Sequence, residues 1–167
     1  YDKAHKFYET VWYRKALGLH YGFWTSGVSN RDEAILEENK VLANMAGVGS
    51  GDRVLDAGCG VAGSGIWLTK NRQARVVGIN IVHEQIKRAT KLVIKNGVAN
   101  MAHFAEADYH QLPFSDGSFN VFWSVESIEH SDNVPAFIKE SFRVLGEGGR
   151  AVIAGTFKGE SQARMQS

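Results

Sequence analysis

A single cysteine, Cys59, stands among 167 residues, so no internal disulfide is available and the chain is not a disulfide-stapled scaffold. That count fits a reducing, cytoplasmic setting. Prolines number only two, which excludes proline-rich linkers and fibrous repeats. No apolar run reaches the roughly 18 residues that a membrane span needs. An excess of charge of either sign is lacking as well: the formal net charge is +1, and the lysines and arginines are dispersed. No basic stripe exists to track a phosphate backbone, which argues against nucleic acid as a partner. The first residues, Tyr1 to His5, contain no signal-peptide core and no initiator methionine, so the chain is expected to lack residues before Tyr1.

What is present is an ordinary globular composition, 44% hydrophobic and 22% charged, at a length typical of one domain. Residues 1–47 read as a helical, aromatic-rich cap. Phe7, Val11 and Trp12 recur at helical spacing, as do Ile35, Leu36, Val41 and Leu42. Between them lies the aromatic segment Leu19 to Thr25. From residue 48 onward strands and helices alternate. Strands are expected at Arg53–Asp56, Arg75–Ile79, Met101–Glu106, Phe119–Ser124 and Arg150–Gly155. Helices are expected around Ile66–Leu68, over Glu84–Lys95 with a cap at Asn96-Gly97, and over Val134–Leu145 with a cap at Gly146–Gly149. This order predicts an α/β, Rossmann-like three-layer sandwich with a mainly parallel sheet over residues 48–167.

The chemistry lies in the loop after the first strand. Gly58, Gly60 and Gly63 form G-x-G-x-x-G between a strand and a helix, where glycines allow a tight turn and close approach of backbone to ligand. A dinucleotide would offer this loop an anionic pyrophosphate, which Asp56, two residues before Gly58, would repel. S-adenosylmethionine instead carries a sulfonium and an ammonium, and a carboxylate suits both. A dinucleotide site also wants an acid about 20 residues further on, for the ribose. Here Asn80 ends the second strand, next to Ile81, and Gln85 follows in the next helix, so an amide pair faces the ribose. Ala107, Asp108 and Tyr109 follow the third strand, where a carboxylate can accept an adenine amino hydrogen, and Ser124 ends the fourth. Taken singly these have plainer roles: Asp108 as a loop cap, Gln85 as a solvated helix residue, Ser124 as a turn former. No metal ligand set is assigned.

With those residues in hand, the chain resembles the class I S-adenosylmethionine-dependent methyltransferases. The resemblance rests on Val54 to Gly60, on Asp108 with Leu112-Pro113-Phe114, on Phe119 to Ser124, and on Arg143-Val144-Leu145 with Gly148-Gly149. Trp123 to His130 is similar to the small-molecule branch containing γ-tocopherol, sterol side-chain and natural-product sugar O-methyltransferases. His20-Tyr21-Gly22-Phe23-Trp24 is similar to an aromatic segment of the tocopherol group. Asn80 and Gln85 match the ribose-binding spacing of the related cyclopropane fatty acid synthases. The resemblance implies S-adenosylmethionine as cofactor, with S-adenosylhomocysteine as product, and a small-molecule or lipid-like acceptor methylated on carbon, oxygen or nitrogen. It also implies strands and a lid beyond the fifth strand. Only about ten residues follow Phe157, so the core is expected to be C-terminally incomplete, inactive alone, and to need its open sheet edge covered by another copy or another chain.

Methyl transfer is an in-line displacement, in which alignment of the two reactants supplies much of the acceleration. A base is needed where the acceptor loses a proton. His130 and Glu129 follow the fourth strand and are candidates for that role, since an ordinary imidazole titrates near roughly 6.5; their plainer role is to cap the following helix. Glu126 is a candidate to stabilise a developing cation. Tyr21 and Trp24 offer aromatic faces to a sulfonium, together with the loop residues Cys59 and Gly60 beneath it. Enzymes that methylate exocyclic base amines carry Asn/Asp-Pro-Pro-aromatic after the fourth strand, where this chain has Ser124-Val125-Glu126-Ser127. A non-catalytic Rossmann module that binds S-adenosylmethionine or a nucleotide would share the glycine loop, but has no use for Glu126, Glu129 and His130.

Overall fold

The computed structural model describes residues 16–18 and 20–156. The expected helix around Phe7, Val11 and Trp12, Leu19 of the aromatic segment, and residues 157–167 lie outside them. The elements in chain order are α1 (Arg31–Met45), β1 (Arg53–Ala57), α2 (Gly63–Arg72), β2 (Arg75–Asn80), α3 (His83–Lys95), β3 (Ala102–Glu106), β4 (Phe119–Val125), a 3-10 turn (Ile128–His130), α4 (Val134–Val144) and β5 (Leu145–Ala154).

The five strands form one sheet in the order β3-β2-β1-β4-β5, and every pairing is parallel. From β1 the chain winds outward to β3, then crosses back to pair β4 with the other side of β1. The carboxyl ends of β1 and β4 therefore diverge into helices on opposite faces, and such a switch point opens the crevice in which open α/β sheets take their ligands. β5 forms one edge of the sheet.

Alternation along each strand sends residues to opposite faces. Val54, Val76, Val121, Trp123 and Val152 join Ile66 and Leu68 of α2 and Ala89 and Val93 of α3 in one core. Leu55, Ala57, Ile79, Phe119 and Phe122 join Phe137 and Val144 of α4 in the other. Both sheet faces are covered, which gives three layers. α3 buries only Ile86, Ala89 and Val93, one stripe of an otherwise charged helix. It stops at Asn96 with Gly97 beyond at φ +71, the left-handed residue that ends many helices.

Three local expectations are corrected. α1 does not bury all of Ile35, Leu36, Val41 and Leu42: its buried residues are Ala34, Ile35, Asn39 and Ala43, and Leu36 faces out. Ala34 lies against Gly22 of the segment that precedes α1, and Ala43 packs into the core beneath the sheet. Gly146 to Gly149 does not cap α4. The helix passes directly into β5, which pairs Leu145 with Phe119, shifts register, and resumes with Arg150 opposite Val121. Gly148, at φ +71, absorbs the irregularity. In the aromatic segment, Tyr21 and Trp24 do not turn their aromatic faces into the crevice: the side chains of Tyr21, Phe23 and Trp24 are all exposed.

That segment runs as a strap over the end of the sheet, held mainly by its backbone. Phe23 N donates to Ala34 O at 2.9 Å, Arg31 donates to the His20 carbonyl through Nε and Nη2, and Tyr21 N donates to Glu126 Oε1 at 2.8 Å. Gly22, at φ +79, lies so close to α1 that a Cβ there would sit 2.6 Å from the Ala34 carbonyl carbon.

Candidate active site

The carboxyl ends of β1, β2 and β4 open into a cavity of about 390 Å³. Its floor is the glycine loop. Gly58 N and Cys59 N both donate to Ile79 O, at 2.9 and 3.0 Å, which pins the loop to the end of β2. Gly58 has φ +84, and a Cβ on it would lie 1.9 Å from Ser127 Oγ, so the turn after β4 presses directly on this residue. Gly60, at φ +54, faces open space. Gly63 is needed for a different contact, because a Cβ there would lie 2.5 Å from the carbonyl oxygen of Leu17 in the strap.

Asp56 points to the same face as Val54, the face on which α2 packs. α2 has no side-chain cap of its own, and its N-cap Ala62 sits at φ +76. Asp56 sits at this helix end, where the backbone of Gly65 favours its charged form. One of its oxygens, Oδ2, is buried without a hydrogen-bond partner. Burial pushes this carboxyl up from 3.8 to about 7, opposed by the charge of nearby His20 and by the Gly65 backbone. The buried Cys59 thiol is pushed well above its usual range by desolvation and by the Asp56 charge. It is not a thiolate nucleophile.

At the other end of the cavity Asn80 Nδ2 donates to Gln85 Oε1 at 2.5 Å, and Asn80 Oδ1 accepts from Val82 N. Ile81 and Val82 expose apolar surface beside them, and Tyr109 closes that wall, its ring edge-on to Phe137 at 5.0 Å. On the β4 side lie Val125, Glu126, Ser127 and His130. Glu126 has φ +46, a conformation that side-chain-bearing residues rarely adopt and that is held here from two sides. Its N–H donates to Ala154 O at 2.8 Å and its carboxylate accepts from the Tyr21 N–H, while burial pushes its carboxyl above the ordinary value.

Of the residues singled out from sequence, the structure brings Asp56, Gly58, Cys59, Gly60, Asn80, Ile81, Gln85, Tyr109, Glu126 and His130 to this one cavity. Five others lie outside its lining. Ser124 is wholly buried one residue before the end of β4, its Oγ unpartnered, because β4 extends to Val125 and turns Ser124 into the sheet. Asp108 Oδ1 accepts from His110 N at 2.8 Å and pairs with His110 Nδ1 at 2.9 Å, while His110 Nε2 meets Ser131 Oγ at 2.7 Å; this carboxylate ties two loops together. Ala107 N donates to Asn80 O, which anchors the same loop. Glu129 is exposed and accepts from Thr156 N at 3.3 Å, joining the turn to the end of β5. Tyr21 contributes its backbone N–H to the site, with its ring directed to solvent.

Sequence reasoning missed Leu17, Gly18, His20, Ser64 and Ser127 in the lining. His20 is buried and hydrogen-bonded through Nδ1 to Glu38 of α1. His20, Glu38 and Glu126 each bring one donor atom within 4.8 Å of the others, a separation a divalent cation can bridge, although the His20 Nδ1 is already engaged by Glu38. His20 stands in the quoted aromatic segment, but only the fold brings its ring against α1.

Comparison with known proteins bears directly on this cavity. The chain is 33% identical over 153 residues to a 27-O-demethylrifamycin SV methyltransferase of Amycolatopsis mediterranei, an alignment covering 92% of this chain and 55% of that protein. It is 34% identical over 149 residues to a sterol 24-C-methyltransferase of Aspergillus fumigatus, covering 89% of this chain and 38% of that protein. Its fold matches the crystal structure of a sarcosine dimethylglycine methyltransferase from Galdieria sulphuraria, described there as putative, with a TM-score of 0.77 at 26% identity, over 87% of this chain and 55% of that one. The chain thus spans about half the length, or less, of the relatives it matches. A methyltransferase-domain family model matches residues 55–153, from the middle of β1 to the end of β5, which contains the glycine loop, the Asn80–Gln85 pair and the Glu126 turn. By that match and by its five-stranded parallel fold, this chain belongs to the methyltransferase-domain family.

Proposed function

We propose that this chain is the donor-binding part of an enzyme that moves the methyl group of S-adenosylmethionine to a carbon, oxygen or nitrogen of a small organic or lipid-like acceptor. One observation carries the reading: Asp56 holds a buried carboxylate oxygen with no partner beside the glycine loop. A buried carboxylate oxygen left without a hydrogen-bond partner is costly, and a cationic ligand removes that cost. The donor's ammonium fits this position, and a pyrophosphate does not. When bound, S-adenosylmethionine supplies an electrophilic methyl on a sulfonium.

The chain's own residues divide the remaining work. Gly58 and Gly60 let the backbone approach the ligand. The Asn80–Gln85 amide pair offers both donors and acceptors to ribose hydroxyls, and Ile81, Val82 and Tyr109 provide apolar surface for a purine. Glu126 and His130, at the end of β4, are the groups in reach of an acceptor. Glu126 is suited to stabilise positive charge and His130 to take a proton, with Glu129 holding their turn against β5. The strained backbone of Glu126 favours an enzyme over a non-catalytic binding module, because such strain is kept where function uses it. Relatives named for a rifamycin and for a sterol support a small, lipid-like acceptor. The segment before residue 48 belongs to the same reading as a cap over the donor, in a cytoplasmic protein. Titration calorimetry with S-adenosylmethionine and with NAD tests the donor directly. Binding of NAD without binding of S-adenosylmethionine would overturn it.

A further inference from the structure

The amino-acid end of the donor is a zwitterion, and Asp56 answers only its positive half. A carboxylate one carbon away from the ammonium needs a cation or N–H donor close to Asp56. No lysine or arginine is among the described residues that line the cavity; its only side chains able to carry positive charge are His20 and His130. His130 sits on the exposed turn after β4. His20 is buried and lines the cavity together with Asp56.

The His20 ring is also held in one orientation. Glu38 of α1 engages Nδ1, and Arg31 binds the His20 carbonyl from the same helix. Gly18 leaves the space that Nε2 occupies, since a Cβ there would lie 2.7 Å from that nitrogen. With Nδ1 committed to Glu38, an imidazolium presents Nε2–H as its free donor. Of the neighbouring acids, Glu38 is engaged by Nδ1 and Glu126 accepts from the Tyr21 N–H through Oε1.

We propose that His20, oriented by Glu38, is the residue that binds the carboxylate of the methyl donor, so that strap and glycine loop read the two halves of the zwitterion. This rests on the donor reading above. It also gives the strap a purpose: Ala16 and Leu17 cross the glycine loop at Gly63, and the chain then carries His20 into the cavity that Asp56 lines.

The test compares S-adenosylmethionine with decarboxylated S-adenosylmethionine, which keeps the sulfonium and the amine but lacks the carboxylate. Calorimetric affinities are measured for the full 167-residue chain and for His20→Gln and Glu38→Gln, with thermal melts to establish that each variant is folded. For His20→Gln the affinity for S-adenosylmethionine is expected to fall ~10-fold or more, the usual size of a lost charge-assisted bond, with the decarboxylated ligand unaffected. Glu38→Gln, which frees the ring, is expected to cause a smaller loss with the same selectivity. An equal loss for both ligands, or no loss for either, would overturn the proposal and assign the carboxylate elsewhere, such as the backbone N–H groups at the start of α2. Failure of the unaltered chain to bind either ligand would overturn the donor reading itself, and this proposal with it.

Discussion

Replacing Asp56 by asparagine removes a charge from the most desolvated ionisable position in the cavity while keeping the shape. In the folded chain this carboxyl is pushed from 3.8 up to about 7, whereas in the unfolded chain an aspartate ionises near the ordinary value of about 3.9. Between those limits the folded protein retains a proton that the unfolded chain has released. The unfolded state then binds fewer protons, so stability falls as pH rises. The stabilisation is complete below about pH 4 and is lost as pH passes through about 7. A separation of about 3 pH units, at about 1.4 kcal/mol each, amounts to about 4 kcal/mol. That figure is an upper bound, because water reaching the open side of the cavity relieves part of the cost. Urea unfolding of the native chain and of Asp56→Asn at pH 5, 6.5 and 8 isolates this group, since all other titrations cancel in the difference. Taking asparagine as the equivalent of the protonated carboxyl, the variant should be the more stable by about 1.5 kcal/mol at pH 5 and by up to about 4 kcal/mol at pH 8. An equal difference at all three pH values would refute the reasoning. The donor reverses the sign: a bound cation favours the ionised carboxylate, so binding near pH 6 should release a proton. Calorimetry in two buffers of different ionisation enthalpy would detect it, and Asp56→Asn should abolish it.

Gly58→Ala should be far more damaging than Gly97→Ala. Both impose a left-handed backbone on alanine, at a cost of about 1 kcal/mol, but only at Gly58 does the new Cβ strike Ser127, at 1.9 Å; comparative urea melts check the difference. Asn80→Ala and Gln85→Ala should leave the melting temperature nearly unchanged, because their mutual bond lies at the cavity rim, yet weaken S-adenosylmethionine several-fold by equilibrium binding. Phe137→Ala, which empties a fully buried position against Tyr109 and Phe122, should cost about 3–5 kcal/mol in urea unfolding and also loosen the donor through Tyr109.

Much of the core was legible because it rests on local chemistry. Alternating apolar strands and amphipathic helices carry their own periodicity, and Asn96-Gly97 ends α3 where a C-cap should. Asp56, the glycines, Asn80 and Gln85 could be placed at one crevice from spacing alone, since they lie at or just after the ends of adjacent parallel strands. The misreadings arose where a long-range contact decided the outcome. Gly146 to Gly149 reads as a helix cap, yet pairing with Phe119 draws it into β5. Ser124 reads as a strand end, yet one more residue of β4 pairing turns it into the sheet. Asp108 reads as a ligand group or a loop cap, and only the fold supplies the His110 partner that its Oδ1 engages.

The sequence by itself determined the layered parallel architecture and the donor-side loop, because backbone periodicity and glycine's steric freedom act over a few residues. Only the tertiary structure decided what faces that loop. His20, Glu38, Asp56 and Glu126 come from four separate stretches of the chain, and no spacing rule joins them. They meet because α1 holds the strap across the crevice where β1 and β4 diverge, and electrostatics there depends on distance through space and not along the chain.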